Sequence, residues 1–182
     1  MKIIPASLIW DDPLLGIAWN ELPGHTPQIV ETLLNEYSKI KKLTQMRRKD
    51  QNAGHIDYAW NLANVLYLKL MLRKKLVLAY QSHDFNTLKT IADKNIPVLL
   101  DALEALLAAF RTQWKRSFKP FGMELMQIRI GGLKERYREL SRTIRELIRG
   151  ESNSIPALDI KHKPLGDIPI TYHELATGGF FI

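Results

Sequence analysis

Trp114-Lys-Arg-Ser-Phe-Lys-Pro-Phe-Gly-Met-Glu-Leu-Met-Gln-Ile-Arg-Ile-Gly-Gly-Leu133 is the stretch on which the fold turns. It closes one long helical pattern, turns at Pro120 and Gly122, and opens the most regular helical pattern in the chain. From Met126 the apolar positions run Ile130, Leu133, Tyr137, Leu140, Ile144 and Leu147. Steps alternating between three and four residues keep one seam of a helix against its neighbours. Gly131 and Gly132 lie inside this pattern. Each costs about 1 kcal/mol against alanine in a helix interior, so bare backbone should serve a purpose there. Two purposes present themselves: a close helix crossing, which is the simpler, or a neighbouring domain or ligand pressed against the backbone beside Arg129.

The same periodicity extends in both directions. Toward the N-terminus, Leu100, Leu103, Leu106, Leu107, Phe110 and Trp114 form a stripe that starts after Pro97, with a break expected near Asn95-Ile96 and a cap at His83-Asp84. A helix from about Ala53 or Ile56 to Gln81 is apolar on nearly every side around Leu62–Leu72, as expected of a helix at the centre of a bundle. Arg73 falls near its apolar seam and should snorkel or meet an acid. An earlier helix should begin at Thr26-Pro27, with Val30, Leu33, Leu34, Tyr37, Ile40 and Leu43 inward. The last helix, Phe121 to Arg149, should stop at Gly150.

The expected architecture is therefore all-α: an antiparallel bundle of about four long helices over residues 27–150. Residues 1–26, punctuated by prolines and glycines yet carrying Trp10, Trp19 and several leucines, read as an irregular apolar strap. Asp11 or Asp12 would cap a short helix at Pro13. Residues 151–182 read as an extended tail, and the terminal Phe180-Phe181-Ile182 should dock on this domain or another. The whole forms one domain.

Composition narrows the chemistry. The chain has 182 residues, no cysteine and a net charge of +7. Disulfides, thiolate metal sites and cysteine nucleophiles are excluded together. The basic excess raises nucleic acid as a partner, through Arg47-Arg48-Lys49 and Arg73-Lys74-Lys75. The alternation of Glu135, Arg138, Glu139, Arg142, Arg145 and Glu146 reads instead as a solvated, internally paired helix face. Trp10, Trp19 and Trp114 raise a weaker alternative, carbohydrate stacking, against ordinary core packing. No signal-peptide pattern and no membrane-length apolar run is seen, so a cytoplasmic protein with no membrane partner is expected.

No catalytic, cofactor or metal site is legible. The five histidines, at 25, 55, 83, 162 and 173, do not share a helix at ligand spacing. There is no phosphate-cradling glycine loop and no Gly-x-Ser-x-Gly elbow.

Four segments carry a resemblance: Trp10-Asp-Asp-Pro-Leu-Leu-Gly16, Phe118-Lys-Pro-Phe-Gly-Met-Glu124, Arg129-Ile-Gly-Gly-Leu133 and Tyr172-His-Glu174. In this order they resemble the C-terminal helical region of family 20 glycoside hydrolases of the β-N-acetylhexosaminidase type. Ile17-Ala18-Trp19 departs from that pattern, where a phenylalanine- and aspartate-like continuation would stand. The resemblance implies a helical bundle accompanying a (β/α)8 catalytic barrel that removes terminal N-acetylhexosamine or a related amino sugar. In that family an adjacent Asp-Glu pair does the chemistry, the glutamate as acid and the aspartate orienting the substrate's own acetamido group. No Asp-Glu dipeptide occurs here, so no catalytic residue carries over. The expected partners are the barrel and, as a second class, another copy of this chain in a homodimer. Trp10, Asp11, Arg129, Gly131 and Gly132 are the candidate inter-domain contacts.

Overall fold

A computed structural model describes residues 9–14, 27–46, 54–117 and 121–159. The helices are α1 (Pro27–Gln45), α2 (Gly54–Gln81), α3 (Phe85–Thr90), a π-helical turn (Ile91–Asn95), α4 (Ile96–Ser117), α5 (Met123–Ile148) and a single turn α6 (Pro156–Asp159). Among the described residues there is no β-strand. Because α3, the π turn and α4 follow one another without a gap, the described residues form four long rods, in line with the all-α expectation.

The central rod is α2, which packs on α1 along one side and on α4 along another. Its all-round apolarity finds cover accordingly: Val65, Leu70 and Leu76 are fully buried. On α5 the seam read from the sequence is the seam that is buried, with Ile130, Leu133, Tyr137, Leu140 and Ile144 turned into the core. On α1 the expectation is half right. Leu34 and Tyr37 are buried, but Ile40 and Leu43 are exposed. Beyond Tyr37 the inward row passes instead through Lys41 and Thr44, and the Lys41 ammonium lies 4.8 Å from the Tyr67 ring centroid and 5.7 Å from that of Trp60. A lysine stem can cover aromatic faces while keeping its head near water, so the helix turns its polar row inward at no large cost.

Helix ends follow local chemistry. Asp84 caps α3, its carboxylate accepting from Thr87 N at 3.0 Å and from Thr87 Oγ1 at 2.6 Å. Two helices end in the same hydrogen-bonded pattern. After α2, His83 N donates to Tyr80 O and Asp84 N to Ala79 O, with His83 in the left-handed region at φ 54°. After α5, Gly150 N donates to Leu147 O and Glu151 N to Glu146 O, with Gly150 at φ 73°.

The break expected near Asn95-Ile96 takes the form of the π turn. Pro97 has no N–H for the carbonyl four residues back, and its ring crowds that carbonyl. Widening the helix absorbs the misfit: Ile96 N donates to Ile91 O, five residues back, rather than to Ala92 O. The released Ala92 carbonyl accepts from Ser141 Oγ at 3.1 Å and from the Arg145 guanidinium at 3.3 Å, which ties the π turn to α5.

Residues 151–159, expected to be extended, contain the turn α6. Tyr80 Oη accepts from Ile155 N at 2.9 Å and donates to Asp159 Oδ1 at 2.8 Å, fastening this segment to the end of α2. The remainder of the tail, including Phe180-Phe181-Ile182, lies outside the described residues, as do Thr26 and most of the strap.

Candidate inter-domain surface

Helices α2 and α5 scarcely approach each other backbone to backbone. Residues 9–14 hydrogen-bond to side chains of both. From α2, Lys69 Nζ donates to Ile9 O at 2.7 Å and to Asp11 O at 3.0 Å, and the Arg73 guanidinium donates to Pro13 O at 3.0 Å. From α5, Arg136 grips the Asp12 carboxylate with two donors, Nε and Nη2. Asp12 Oδ1 also accepts from Leu14 N at 2.8 Å, closing a local turn. Ile9 and Leu14 anchor the segment in the hydrophobic core.

The two aspartates do more than close the turn at Pro13, whose continuation beyond Leu14 lies outside the described residues. Asp11 and Asp12 are buried at 1% and 4% exposure, against the buried cations Lys69 and Arg73 and the half-buried Arg136. Removing a carboxylate from water is affordable only beside opposite charge and hydrogen-bond donors, and this cluster supplies both. Arg73 meets the acids the sequence reading asked for. Lys69 carries the larger consequence. Burial pushes its ammonium down to about 7, while the nearby Asp11 and Asp12 charges pull in the opposite direction. Its Nζ sits 5.9 Å from the centroid of the Tyr137 ring, and burial holds the Tyr137 phenol well above its ordinary range. These perturbed groups serve a sealed structural network; Lys69 and Tyr137 are 1% and 2% exposed, with no opening for a reacting molecule.

One edge of this network reaches the surface. Trp10 is half-buried against the core, and the Arg129 guanidinium lies over its ring, 5.5 Å from the centroid. On the solvent side of α5, Leu125 and Ile128 are 47% and 53% exposed, and Phe121, just before the helix, is 83% exposed. Residues at 125, 128 and 132 fall on one flank of the helix, beside Arg129 and Arg136.

Gly132 belongs to this flank, and Gly131 sits about 100° further around the helix. Gly131 is exposed, and a Cβ built there would meet nothing within 4 Å, so the helix-crossing explanation does not hold for Gly131. Gly132 is half-buried. Of the five candidate contacts, Trp10 and Arg129 are thus stacked on one another, Gly131 and Gly132 share their helix, and Asp11 is turned inward beneath them. Sequence reasoning missed Lys69, the donor at the centre of the strap's attachment; its one signal is a lysine amid Leu66, Leu68, Leu70 and Leu72.

The other chemical readings find little support. Arg73 is buried and Lys74 pairs with Glu31, so this basic run is not a free phosphate-binding patch; Arg47-Arg48-Lys49 lies outside the described residues. Trp114 stacks with Phe110 at 5.3 Å, and Phe110 with Tyr58 at 5.8 Å, an internal aromatic ladder. A cavity of about 300 Å³ between the π turn and α5 is floored by Ile96, Pro97 and Leu100 and rimmed by Arg138, Arg142 and Arg145. Its arginines are already engaged by Glu135, Glu139 and Asp93. Among the described residues no three His, Asp or Glu side chains converge as a metal site, and no helix is long and apolar enough to cross a membrane.

Residues 5–167 match the family model of the glycoside hydrolase 20C C-terminal domain. The chain belongs to this family. The strap segment Trp10-Asp-Asp-Pro-Leu, the turn before α5 and the Arg129-Ile-Gly-Gly segment all fall within the matched span; Tyr172-His-Glu174 falls beyond it. No curated protein matches the chain. As a glycoside hydrolase 20C C-terminal domain, it is an accessory helical domain that accompanies a family 20 catalytic domain.

Proposed function

We propose that this domain performs no hydrolysis itself and docks on the (β/α)8 barrel of a family 20 β-N-acetylhexosaminidase through the flank of α5 beside Trp10. The observation that carries the proposal is the exposed run of Leu125 and Ile128 next to the Trp10–Arg129 stack, on the same helix as the open backbone of Gly131. Helix interiors exposed to water select against glycine, and solvated faces select against neighbouring leucine and isoleucine. Both selections are relaxed where another domain covers the helix. Asp11 and Asp12 act from beneath, holding the strap that presents Trp10.

A homodimer through the same flank is the second reading, and it rests on the same apolar residues. Light scattering on the purified chain, with and without an active family 20C catalytic barrel, separates the two. A 1:1 complex with the barrel supports docking; self-association that the barrel does not disrupt supports the dimer. A monomer that ignores the barrel sinks both. On the same samples, an aryl β-N-acetylglucosaminide should be hydrolysed only where the barrel is present.

A further inference from the structure

The docking flank also contains an unsatisfied charge. Helix α5 and its C-terminal cap carry six arginines, at 129, 136, 138, 142, 145 and 149. Five of them pair with carboxylates: Arg136 with Asp12, Arg138 and Arg142 with Glu135, Arg145 with Asp93 and Arg149 with Glu151. Arg129 has no such pair among the described residues. Its Nε is buried without a hydrogen-bond partner, and its recorded contact is the face of Trp10. A half-buried guanidinium beside apolar side chains retains strong donors whose desolvation is not repaid. Stacking on an aromatic ring is worth about 0.5–2 kcal/mol and leaves the fork of N–H groups in the ring plane's periphery unused.

We infer that the surface which docks on this flank presents a carboxylate, Asp or Glu, to the Arg129 guanidinium, framed by apolar side chains that cover Leu125, Ile128 and the edge of Trp10. This rests on the docking reading above and specifies the chemistry of the partner face on the catalytic barrel. Trp10 backs the guanidinium from one side, so a carboxylate arriving from the partner meets two donors that no other described side chain occupies. The apolar frame excludes water from that ion pair on docking, which makes it a specificity element: a partner lacking the acid would strand a buried charge.

The test is the affinity of the chain for an active family 20C catalytic barrel, measured by calorimetry at low and high salt. Arg129→Gln should weaken binding at least tenfold and flatten its salt dependence, and Arg129→Glu should weaken it further. Arg129→Lys should recover only part of the loss, because an ammonium lacks the fork. An Asp or Glu→Arg change at one position on the barrel should restore binding to Arg129→Glu. Thermal unfolding of each variant alone serves as the folding control. If Leu125→Ser with Ile128→Ser abolishes binding while Arg129→Gln binds like the parent, the carboxylate inference is overturned and the docking reading stands. If the parent chain does not bind the barrel, both fall.

Discussion

Lys69 Nζ lies 2.7 Å from the carbonyl oxygen of Ile9, a residue sixty positions earlier in the chain. That hydrogen bond, with its companion to Asp11 O, holds the strap in the gap between α2 and α5.

Replacing Lys69 with methionine keeps most of the side-chain volume but removes the ammonium that faces Asp11 and Asp12 and the donor to two buried carbonyls. Leaving the buried Ile9 and Asp11 carbonyls without that donor costs about 1–3 kcal/mol each. Urea denaturation of Lys69→Met should show a loss of that order. A change under about 1 kcal/mol would mean that the strap is held by Ile9 and Leu14 packing alone.

The same lysine makes stability depend on pH in an unusual direction. Its ammonium titrates at about 7 in the folded chain and at 10.5 when unfolded. Between those values the unfolded state binds the extra proton, so stability rises with pH, by up to about 1.4 kcal/mol per unit. Below about 7 both states are protonated and the cost of burying the charge is fully present. Above the ordinary tyrosine range the trend reverses, because buried Tyr137 stays protonated while its unfolded counterpart ionises. Chemical denaturation at pH 6.5, 8 and 9.5 should give increasing midpoints, and Lys69→Met should flatten the series. A flat parent series would refute the assignment.

Gly131 offers a clean separation of stability from association. Its backbone is helical and a Cβ there meets open space, so Gly131→Ala should stabilise the chain by about 1 kcal/mol. If the partner's footprint extends around the helix to Gly131, the same substitution should weaken docking. A thermal melt and a binding titration on one preparation read both effects; destabilisation would mean that the backbone there is more crowded than the described contacts allow.

The two left-handed helix ends should respond oppositely. His83 pays for φ 54° with a side chain, so His83→Gly should gain about 1 kcal/mol, whereas Gly150→Ala, at φ 73°, should lose about 1–2 kcal/mol. Denaturant midpoints of the two variants, shifting in opposite senses, check this pair together.

The extent of what can be read from this sequence varies from one residue to the next. The end of α5 at Gly150 and the Asp84 cap were legible because a cap, a glycine or a proline acts within a few residues. The core seam from Met126 to Ile144 was legible because helical periodicity is repeated and redundant. The failures on α1, where Ile40 and Leu43 face solvent, came from a local row that could drift either way until α2 offered Trp60 and Tyr67 to Lys41. Pro97 announced a disturbance; that it became a π turn depended on Ser141 and Arg145 being placed to donate to the freed carbonyl.

By itself, then, the sequence determined an all-α fold class, the seam of α5 and its end at Gly150, the lack of cysteine chemistry and the segments that resemble the C-terminal helical region of family 20 glycoside hydrolases. These depend on interactions between near neighbours, or on residue identities that need no geometry. Only the tertiary structure decided that Asp11 and Asp12 are buried ion partners, that Lys69 is the strap's central donor, and that Arg129 is left facing Trp10 beside an exposed apolar flank. The reason is separation along the chain: Arg73 finds Pro13 across 60 residues and Arg136 finds Asp12 across 124, and no local pattern encodes such a meeting.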